Sequence, residues 1–161
     1  MPDDLIRWIL AGRTLAERLQ RIETALAHEG YALPPLPRGV DLSEAGEIHW
    51  LRGEPHTVRY TVVDQGGRKV YHYREREVDH IMVHRFRKGD EWALEYLAAI
   101  PHILQGGRVI SIEAERVVYH SRRRYLNPET GDRVPLRVII RLSSAGRWYV
   151  ATFYPWYRGG R

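Results

Sequence analysis

The first part of the chain has hydrophobic residues at intervals of three and four positions. Between residues 3 and 29 they form the stripe Leu5, Ile6, Ile9, Leu10, Leu15, Leu19, Ile22 and Leu26. This spacing predicts an amphipathic helix that bends near Gly12 and ends at Gly30. The following sequence, ALPPLPRG, cannot sustain a helix. Residues 1–46 are therefore predicted to form a helical arm with a proline-rich linker.

From residue 47 the hydrophobic period changes to two, which is typical of β-strands. The segments EIHWL, TVRYTVVD and KVYHYRE alternate in this way, and QGGR between the last two predicts a hairpin. The next segments, EVDHIMVHRF and DEWALEYLAAI, return to a helical spacing. They predict two short helices, the second beginning near Asp90 and ending by Pro101 and Gly106–Gly107.

The rest of the chain consists of strand-like segments separated by turns. These segments are RVISIE, RVVYHSRRRYL, RVPLRVIIRL and RWYVATFYPWY, and the turns NPETGD and SSAG separate the last three. We expect an α+β fold in which the N-terminal helix and a β-hairpin precede a helical segment and a four-stranded antiparallel meander. Residues 47–161 are predicted to form the domain that follows the arm.

Composition restricts the class of protein. The chain has 161 residues, 43% of them hydrophobic, which suffices for one compact core. It has no cysteine, so a disulfide framework, a thiolate zinc site and a cysteine nucleophile are excluded. No segment approaches the roughly 20 apolar residues of a membrane helix, and acids occupy the position of a basic secretory n-region. A cytoplasmic protein without a membrane partner is expected.

Charge is distributed unevenly along the chain. Residues 1–47 hold 5 arginines against 8 acids, a net −3, whereas residues 48–161 hold 20 lysines and arginines against 12 acids, a net +8. A basic field of this kind attracts polyanions. Lys69 and Lys88 are the only lysines, and the planar fork of arginine suits phosphate. A GC-rich or thermophilic genome that uses arginine in place of lysine explains the same bias equally well.

Alternation along two neighbouring strands predicts a cationic face. Arg133, Arg137 and Arg141 lie on one side of the strand after NPETGD, and the strand before it carries Arg122 and Arg124. If these strands pair, up to five arginines line one surface near tyrosine and histidine side chains. Phosphate contacts and base stacking require such a surface. The alternative is a solvated face whose cations prevent edge pairing.

His80 and His84 are four residues apart and therefore project from one side of a helix. Two imidazoles with pKa values near 7 suit metal-free RNA cleavage, because one accepts the 2′-hydroxyl proton and the other protonates the departing 5′-oxygen. The spacing also suits a metal ion, but the glutamate of HExxH is absent and Asp79 is the only adjacent carboxylate. Simple packing is the third interpretation. We expect no metal and no other cofactor.

The last strand is predicted to place Thr152 and Tyr154 on one face, with Trp148, Val150 and Trp156. Two hydroxyls at the edge of a basic sheet can hold a scissile phosphate. Aromatic and β-branched residues are also ordinary strand material, so this pattern alone is compatible with a structural role.

The order of these segments resembles the barnase/EndoU/colicin/RelE-like (BECR) nuclease superfamily of phage- and toxin-associated endonucleases. The resemblance covers residues 70–157 and rests on DHIMVH, IPHIL, the glycine-containing approach to RVIS, the tyrosine-rich meander and ATFYP. It implies that a helix delivers a catalytic histidine to a four-stranded antiparallel sheet whose closing TxYP strand supplies a hydroxyl. The implied catalytic residues are His80, with His84 as second candidate, Thr152 and Tyr154.

The predicted function is that of a metal-independent endoribonuclease of the toxin or phage-effector type, cleaving RNA through 2′-hydroxyl attack. The expected partners are RNA or single-stranded nucleic acid, and the resemblance admits an acidic antitoxin or immunity protein. Expected substrate ligands are Arg122, Arg124 and Arg137 of the cationic face, together with Arg108, which the resemblance implies as a phosphate ligand. The alternative is a non-catalytic nucleic-acid-binding protein that uses the same Arg/Tyr-rich sheet. A third possibility is a module whose basic face binds an acidic protein.

Overall fold

The computed structural model describes residues 3–28, 30 and 35–157. These residues form an α+β fold with four α-helices and one mixed seven-stranded sheet, which confirms the predicted class. The α-helices are α1 (Asp3–Leu10), α2 (Leu15–His28), α3 (Val83–Lys88) and α4 (Ile100–Gly106). The strands are β1 (Ile48–Leu51), β2 (Glu54–Val63), β3 (Lys69–Tyr73), β4 (Arg108–Glu113), β5 (Arg116–Leu126), β6 (Arg133–Leu142) and β7 (Trp148–Pro155).

Two further helical segments lie between β3 and β4. A π-helix, Arg76–Met82, runs directly into α3, which ends at Lys88 and is capped by Gly89 with a φ of 71°. A 3-10 helix, Glu91–Ala99, runs into α4. Pro101 lies in the first turn of α4, where a missing backbone N–H costs little. The predicted helix therefore continues past the proline to Gly106.

The strand order is β1-β2-β3-β7-β6-β5-β4, and all neighbouring pairs are antiparallel except β3 and β7. The prediction of a four-stranded sheet was wrong, because the N-terminal strands extend the same sheet. The extension rests on a short parallel pairing in which Val70 opposes Trp148 and Tyr71 opposes Tyr149. Periodicity within one segment contains no information about a partner so distant in sequence.

The N-terminal helices belong to the main core. That core joins the helical segments to one face of the sheet, and Ile9, Ile22 and Leu26 are at most 2% exposed within it. The arm thus packs on its own domain, although a domain boundary near residue 47 stays a prediction. Residues 31–34 of the expected linker and residues 158–161 of the expected domain lie outside the described residues. Among the described residues, no helix is long and apolar enough to cross a membrane.

The single helix predicted for residues 3–29 is divided into α1 and α2, with the break at the predicted bend. Thr14 Oγ1 accepts a hydrogen bond from the Glu17 backbone N–H at 3.1 Å, and Glu17 accepts one from the Arg13 backbone N–H at 2.8 Å. This exchange resembles a capping box and starts α2 after the break.

We predict that the N-terminal helices are required for stability. Leu26→Ala should lower the free energy of unfolding by about 2–5 kcal/mol, because it leaves a cavity in the core. Leu10→Ala is the matched control: Leu10 is 45% exposed, so its loss should change stability by roughly 0.5 kcal/mol or less. Urea denaturation measures both. Equal effects would show that α2 does not belong to the core.

Candidate functional site

Four residues form a row across β4, β5, β6 and β7 on the sheet face opposite the main core. The register pairs Arg108 with His120, His120 with Arg137, and Arg137 with Tyr154. Side chains of opposed residues lie on one face of a sheet. Arg137 Nε donates to His120 Nε2 at 2.9 Å, and Arg137 Nη1 donates to the Tyr154 hydroxyl at 3.4 Å. Arg137 therefore connects the histidine and the tyrosine.

Aromatic rings fix the position of Arg137. Its guanidinium carbon lies 3.7 Å from the centroid of the Trp156 ring and 5.9 Å from that of Tyr154. Cation–π attraction adds to the two hydrogen bonds, so the guanidinium is held before any ligand arrives.

A cleft of about 550 Å³, here called the arginine cleft, lies at the β4 and β5 end of this row. Its lining consists of Arg108, His120, Arg124, Asp132, Arg133, Val134, Pro135, Trp156 and Tyr157. Two of the four predicted substrate ligands, Arg108 and Arg124, thus share one cleft. His120 and Arg133 also line it, although neither was selected from the sequence as a site residue.

Arg122 differs from its predicted position. The pairing of β5 with β6 is irregular between His120 and Arg124, so the strict alternation expected along β5 is interrupted. Arg122 Nε donates to the Gly106 carbonyl at 2.7 Å, and the side chain lines a separate cavity with His102. Arg122 is therefore missing from the surface on which up to five arginines were expected.

A second cavity, here called the central cavity, measures about 280 Å³ and adjoins the arginine cleft. It is lined by His84, Arg85, Lys88, Asp90, Thr152, Tyr154, Pro155, Trp156 and Tyr157, the last two shared with the cleft. Three of the four predicted catalytic residues, His84, Thr152 and Tyr154, therefore surround one space. The chain after β3 runs along β7, which brings His84 to these hydroxyls.

The fourth predicted catalytic residue, His80, lies behind His84. The two ring centroids are 4.3 Å apart and the rings are tilted by 39°. His80 is not part of the cavity lining. The i,i+4 spacing thus brings the two rings together, as expected, but only the second faces the hydroxyls.

Arg85 is a buried cation in the lining of the central cavity. It is 6% exposed, pairs with Asp90 at 2.9 Å and lies 5.3 Å from the Tyr154 ring centroid. The Arg85 Nε–H is buried and donates to no group among the described residues. A buried donor without an acceptor is costly, so an acceptor on a ligand would stabilise it.

The closing strand also departs from simple alternation. Ile139 opposes Thr152 and Ile140 opposes Val150, so Ala151 is an extra residue in β7. Val150 consequently joins Phe153 in the main core, whereas Tyr149 lies with Ala151 in a second cluster on the outer face. The sequence pattern had placed Tyr149 on the side opposite Thr152.

Burial and cations keep three imidazoles neutral. Burial, with the nearby Arg76 and His84, lowers the pKa of His80 to about 3. Burial and then Arg85 lower the pKa of His84. Burial and Arg137 lower the pKa of His120 to about 4. At neutral pH each ring is therefore uncharged.

The described residues contain no cluster of three or more histidine, aspartate or glutamate side chains suited to a metal ion. The carboxylate of the central cavity, Asp90, is paired with Arg85. Comparison with protein-family models, with curated proteins and with solved structures found no match to this chain. The function must therefore be inferred from the geometry of the site.

We predict that the neutral His80 makes stability depend on pH. Because its folded pKa lies below the unfolded value near 6.5, the unfolded state binds more protons between about pH 6.5 and 3. As far as His80 is concerned, the free energy of unfolding should be highest above pH 6.5. It should fall as the pH is lowered from about 6.5 to 3. His80→Asn should fall less steeply, since it removes one such group.

Thermal unfolding between pH 7 and 4 measures this difference. The control is His102→Asn, because His102 is exposed and its slope with pH should match that of the wild type. Titration of the carboxylates changes the thermal midpoint equally in all three proteins, so it does not affect the comparison. Parallel curves for the wild type and His80→Asn would contradict the assigned environment of His80.

Proposed function

We propose that this protein is a metal-independent endoribonuclease that cleaves single-stranded RNA by attack of the ribose 2′-hydroxyl. The observation that carries the proposal is the central cavity, where His84, Thr152 and Tyr154 meet beside Arg85. One neutral imidazole, two hydroxyls and a buried cation supply a base, an acid and charge stabilisation within one space. A bond to phosphorus can be exchanged with these groups alone.

His84 acts as the general base. It takes the proton from the 2′-hydroxyl, and the 2′-oxygen then attacks phosphorus. The bond from phosphorus to the 5′-oxygen breaks, leaving a 2′,3′-cyclic phosphate on one product. Tyr154 donates its phenolic proton to the departing 5′-oxygen and later recovers a proton from His84. Protons and electron pairs balance without a cofactor.

Cations around the cavity suit the charge that develops on phosphorus. Arg85 and Arg137 flank the Tyr154 ring at 5.3 and 5.9 Å, so both are close to the acid. Arg76 lies 5.7 Å from the Tyr149 ring centroid on the same face, and its buried Nε–H, like that of Arg85, donates to no group in the described part of the chain. Phosphate oxygens would satisfy these donors.

Substrate binding would improve His84 as a base. Its pKa is lowered by burial first and then by Arg85, Arg87 and Arg76. A bound phosphodiester places negative charge among these cations and so raises the pKa toward neutral pH. A base is most effective when its pKa approaches the ambient pH.

The arginine cleft extends the site for the rest of the strand. It adjoins the central cavity at Trp156 and Tyr157 and offers Arg108, Arg124 and Arg133 to further phosphates. Arginine and aromatic side chains in one groove favour an unpaired strand, whose bases are free to stack. Specificity for RNA over DNA follows from the 2′-hydroxyl that the chemistry consumes.

The second candidate function is nucleic-acid binding without cleavage. It is favoured by the low pKa values of His80 and His120, about 3 and 4, because such rings are weak bases and do not supply an imidazolium acid at neutral pH. The same arginine cleft would then hold a strand that stays intact. An acidic protein, including an antitoxin or immunity protein, remains a proposed partner for the same basic face.

We predict that the purified protein cuts single-stranded RNA in the presence of EDTA and leaves 2′,3′-cyclic phosphate ends. The all-deoxy strand of the same sequence should not be cut, because it lacks the nucleophile. His84→Gln and Tyr154→Phe should each slow cleavage by about 10²- to 10⁴-fold, the usual range for loss of an acid or base. Both should retain affinity for RNA.

His102→Gln is the matched control, since this exposed histidine lines neither cavity, and it should cut at the wild-type rate. Gel analysis of labelled RNA measures all four proteins. RNA that is bound but never cut would favour the second candidate. Absence of both binding and cleavage would overturn nucleic-acid function and leave the acidic protein as the partner to pursue.

A further inference from the structure

The turn between β1 and β2 has an unusual residue at its tip. Leu51 opposes Glu54, so the loop contains only Arg52 and Gly53. Their φ angles are 54° and 76°, as in a type I′ turn. Asparagine followed by glycine is preferred there, because the left-handed region brings a Cβ close to the backbone. Arg52 is the single non-glycine residue with positive φ among the described residues.

Arg52 has no local partner that explains its place. Its side chain is exposed and forms no hydrogen bond or ion pair within the described part of the chain. It lines a cavity of about 370 Å³ together with Arg116, Arg141 and Tyr149. Glu113 and Glu115 also line this space, and Glu113 lies 3.7 Å from Arg116. The other two cations of this cavity are Arg52 and Arg141. Neither forms an ion pair with a carboxylate among the described residues.

The 370 Å³ cavity, here called the hairpin cavity, extends the proposed RNA site along β7. Arg141 opposes Tyr149 in the pairing of β6 with β7, on the same face as Thr152 and Tyr154. The charge of Arg52 also contributes to the lowered pKa values of Arg76 and His80, so the hairpin tip lies near the histidine pair. The hairpin cavity and the arginine cleft thus lie at opposite ends of one cationic face.

The tip of the hairpin is fixed to the helices. Arg18 of α2 lies 3.3 Å from Glu54 and 3.5 Å from Asp79. One guanidinium therefore connects the residue that closes the turn to the π-helix that carries His80. This anchoring holds the backbone at the tip of the hairpin, from which the Arg52 side chain extends beside the cavity.

We propose that Arg52 is a phosphate ligand for the RNA strand at the end of the site opposite the arginine cleft. The strained turn is retained because it presents the Arg52 guanidinium to the hairpin cavity. Arg141 is the neighbouring cation for the same phosphate. This inference rests on the proposed function, since it names a further contact for the same substrate.

Arg52→Asn separates the two roles of this residue. Asparagine suits a type I′ turn, so the thermal midpoint should stay the same or rise. Affinity for RNA should fall about fivefold or more, because one charge-assisted contact is lost. The slope of log affinity against log salt should decrease in magnitude by about 1. The probe is a 2′-O-methyl RNA of about 12 nucleotides, within the range of single-strand binding sites and resistant to cleavage.

Arg38→Asn is the control, because Arg38 is exposed, lines none of the three cavities and loses the same charge. Its affinity should stay within about twofold of the wild type. If the wild type itself fails to bind the RNA at low salt, the proposed function fails. If the wild type binds and Arg52→Asn binds equally well, only the role of Arg52 is overturned. A lower thermal midpoint for Arg52→Asn and for Arg52→Gly would overturn the claim of strain.

Discussion

The short parallel pairing of β3 with β7 determines how the rest of the molecule is arranged. It joins the N-terminal strands to the antiparallel series β4–β7 through two opposed pairs, Val70 with Trp148 and Tyr71 with Tyr149. Beyond Tyr149, no strand among the described residues pairs with β7 on that side. The chain leaving β3 fills the position as the π-helix and α3. His84 lies beside Thr152 and Tyr154 because a helix, and not a strand, adjoins this part of β7.

The outer face concentrates cations that a stable protein would ordinarily separate. Arg76, Arg85 and Arg137 lie over the rings of Tyr149, Tyr154 and Trp156, and Arg85 also pairs with a buried carboxylate. Cation–π contacts and the ion pair offset part of the repulsion between them. Burial and the same cations lower the pKa values of His80, His84 and His120, so these rings add no further positive charge at neutral pH. The arrangement suits an anionic ligand, which would complete the charge balance.

Local sequence signals predicted most strands and turns of this fold. Period-two segments bounded by QGGR, NPETGD and SSAG correspond to β2, β3, β5, β6 and β7, because alternation and turn residues act over a few positions. The parallel pairing could not be predicted in this way, since its partners are distant in sequence. The bend predicted near Gly12 is a break between α1 and α2, and Thr14, whose hydroxyl accepts the Glu17 N–H just before α2, was not selected from the sequence.

The candidate site was predictable in its residue types but not in its details. His84, Thr152 and Tyr154 were selected from spacing and resemblance, and they line one cavity. Irregular pairing in β5 and β7 displaced Arg122 and Tyr149 from the faces that alternation assigned to them. In the sequence, His120 is one residue of an arginine-rich strand and nothing distinguishes it as a site residue. Its hydrogen bond with Arg137 depends on the register between β5 and β6. Such register and bulge effects arise from tertiary packing.

The most direct test of the proposed active site is a crystal structure with a short RNA whose scissile ribose carries a 2′-O-methyl group. We expect the modified oxygen to lie within about 3 Å of a His84 ring nitrogen, and the 5′-oxygen to lie at a similar distance from the Tyr154 hydroxyl. Arg85 Nε–H should donate to the phosphate between them. A strand bound only in the arginine cleft, with every phosphate remote from His84, would contradict the assignment of His84 as the general base.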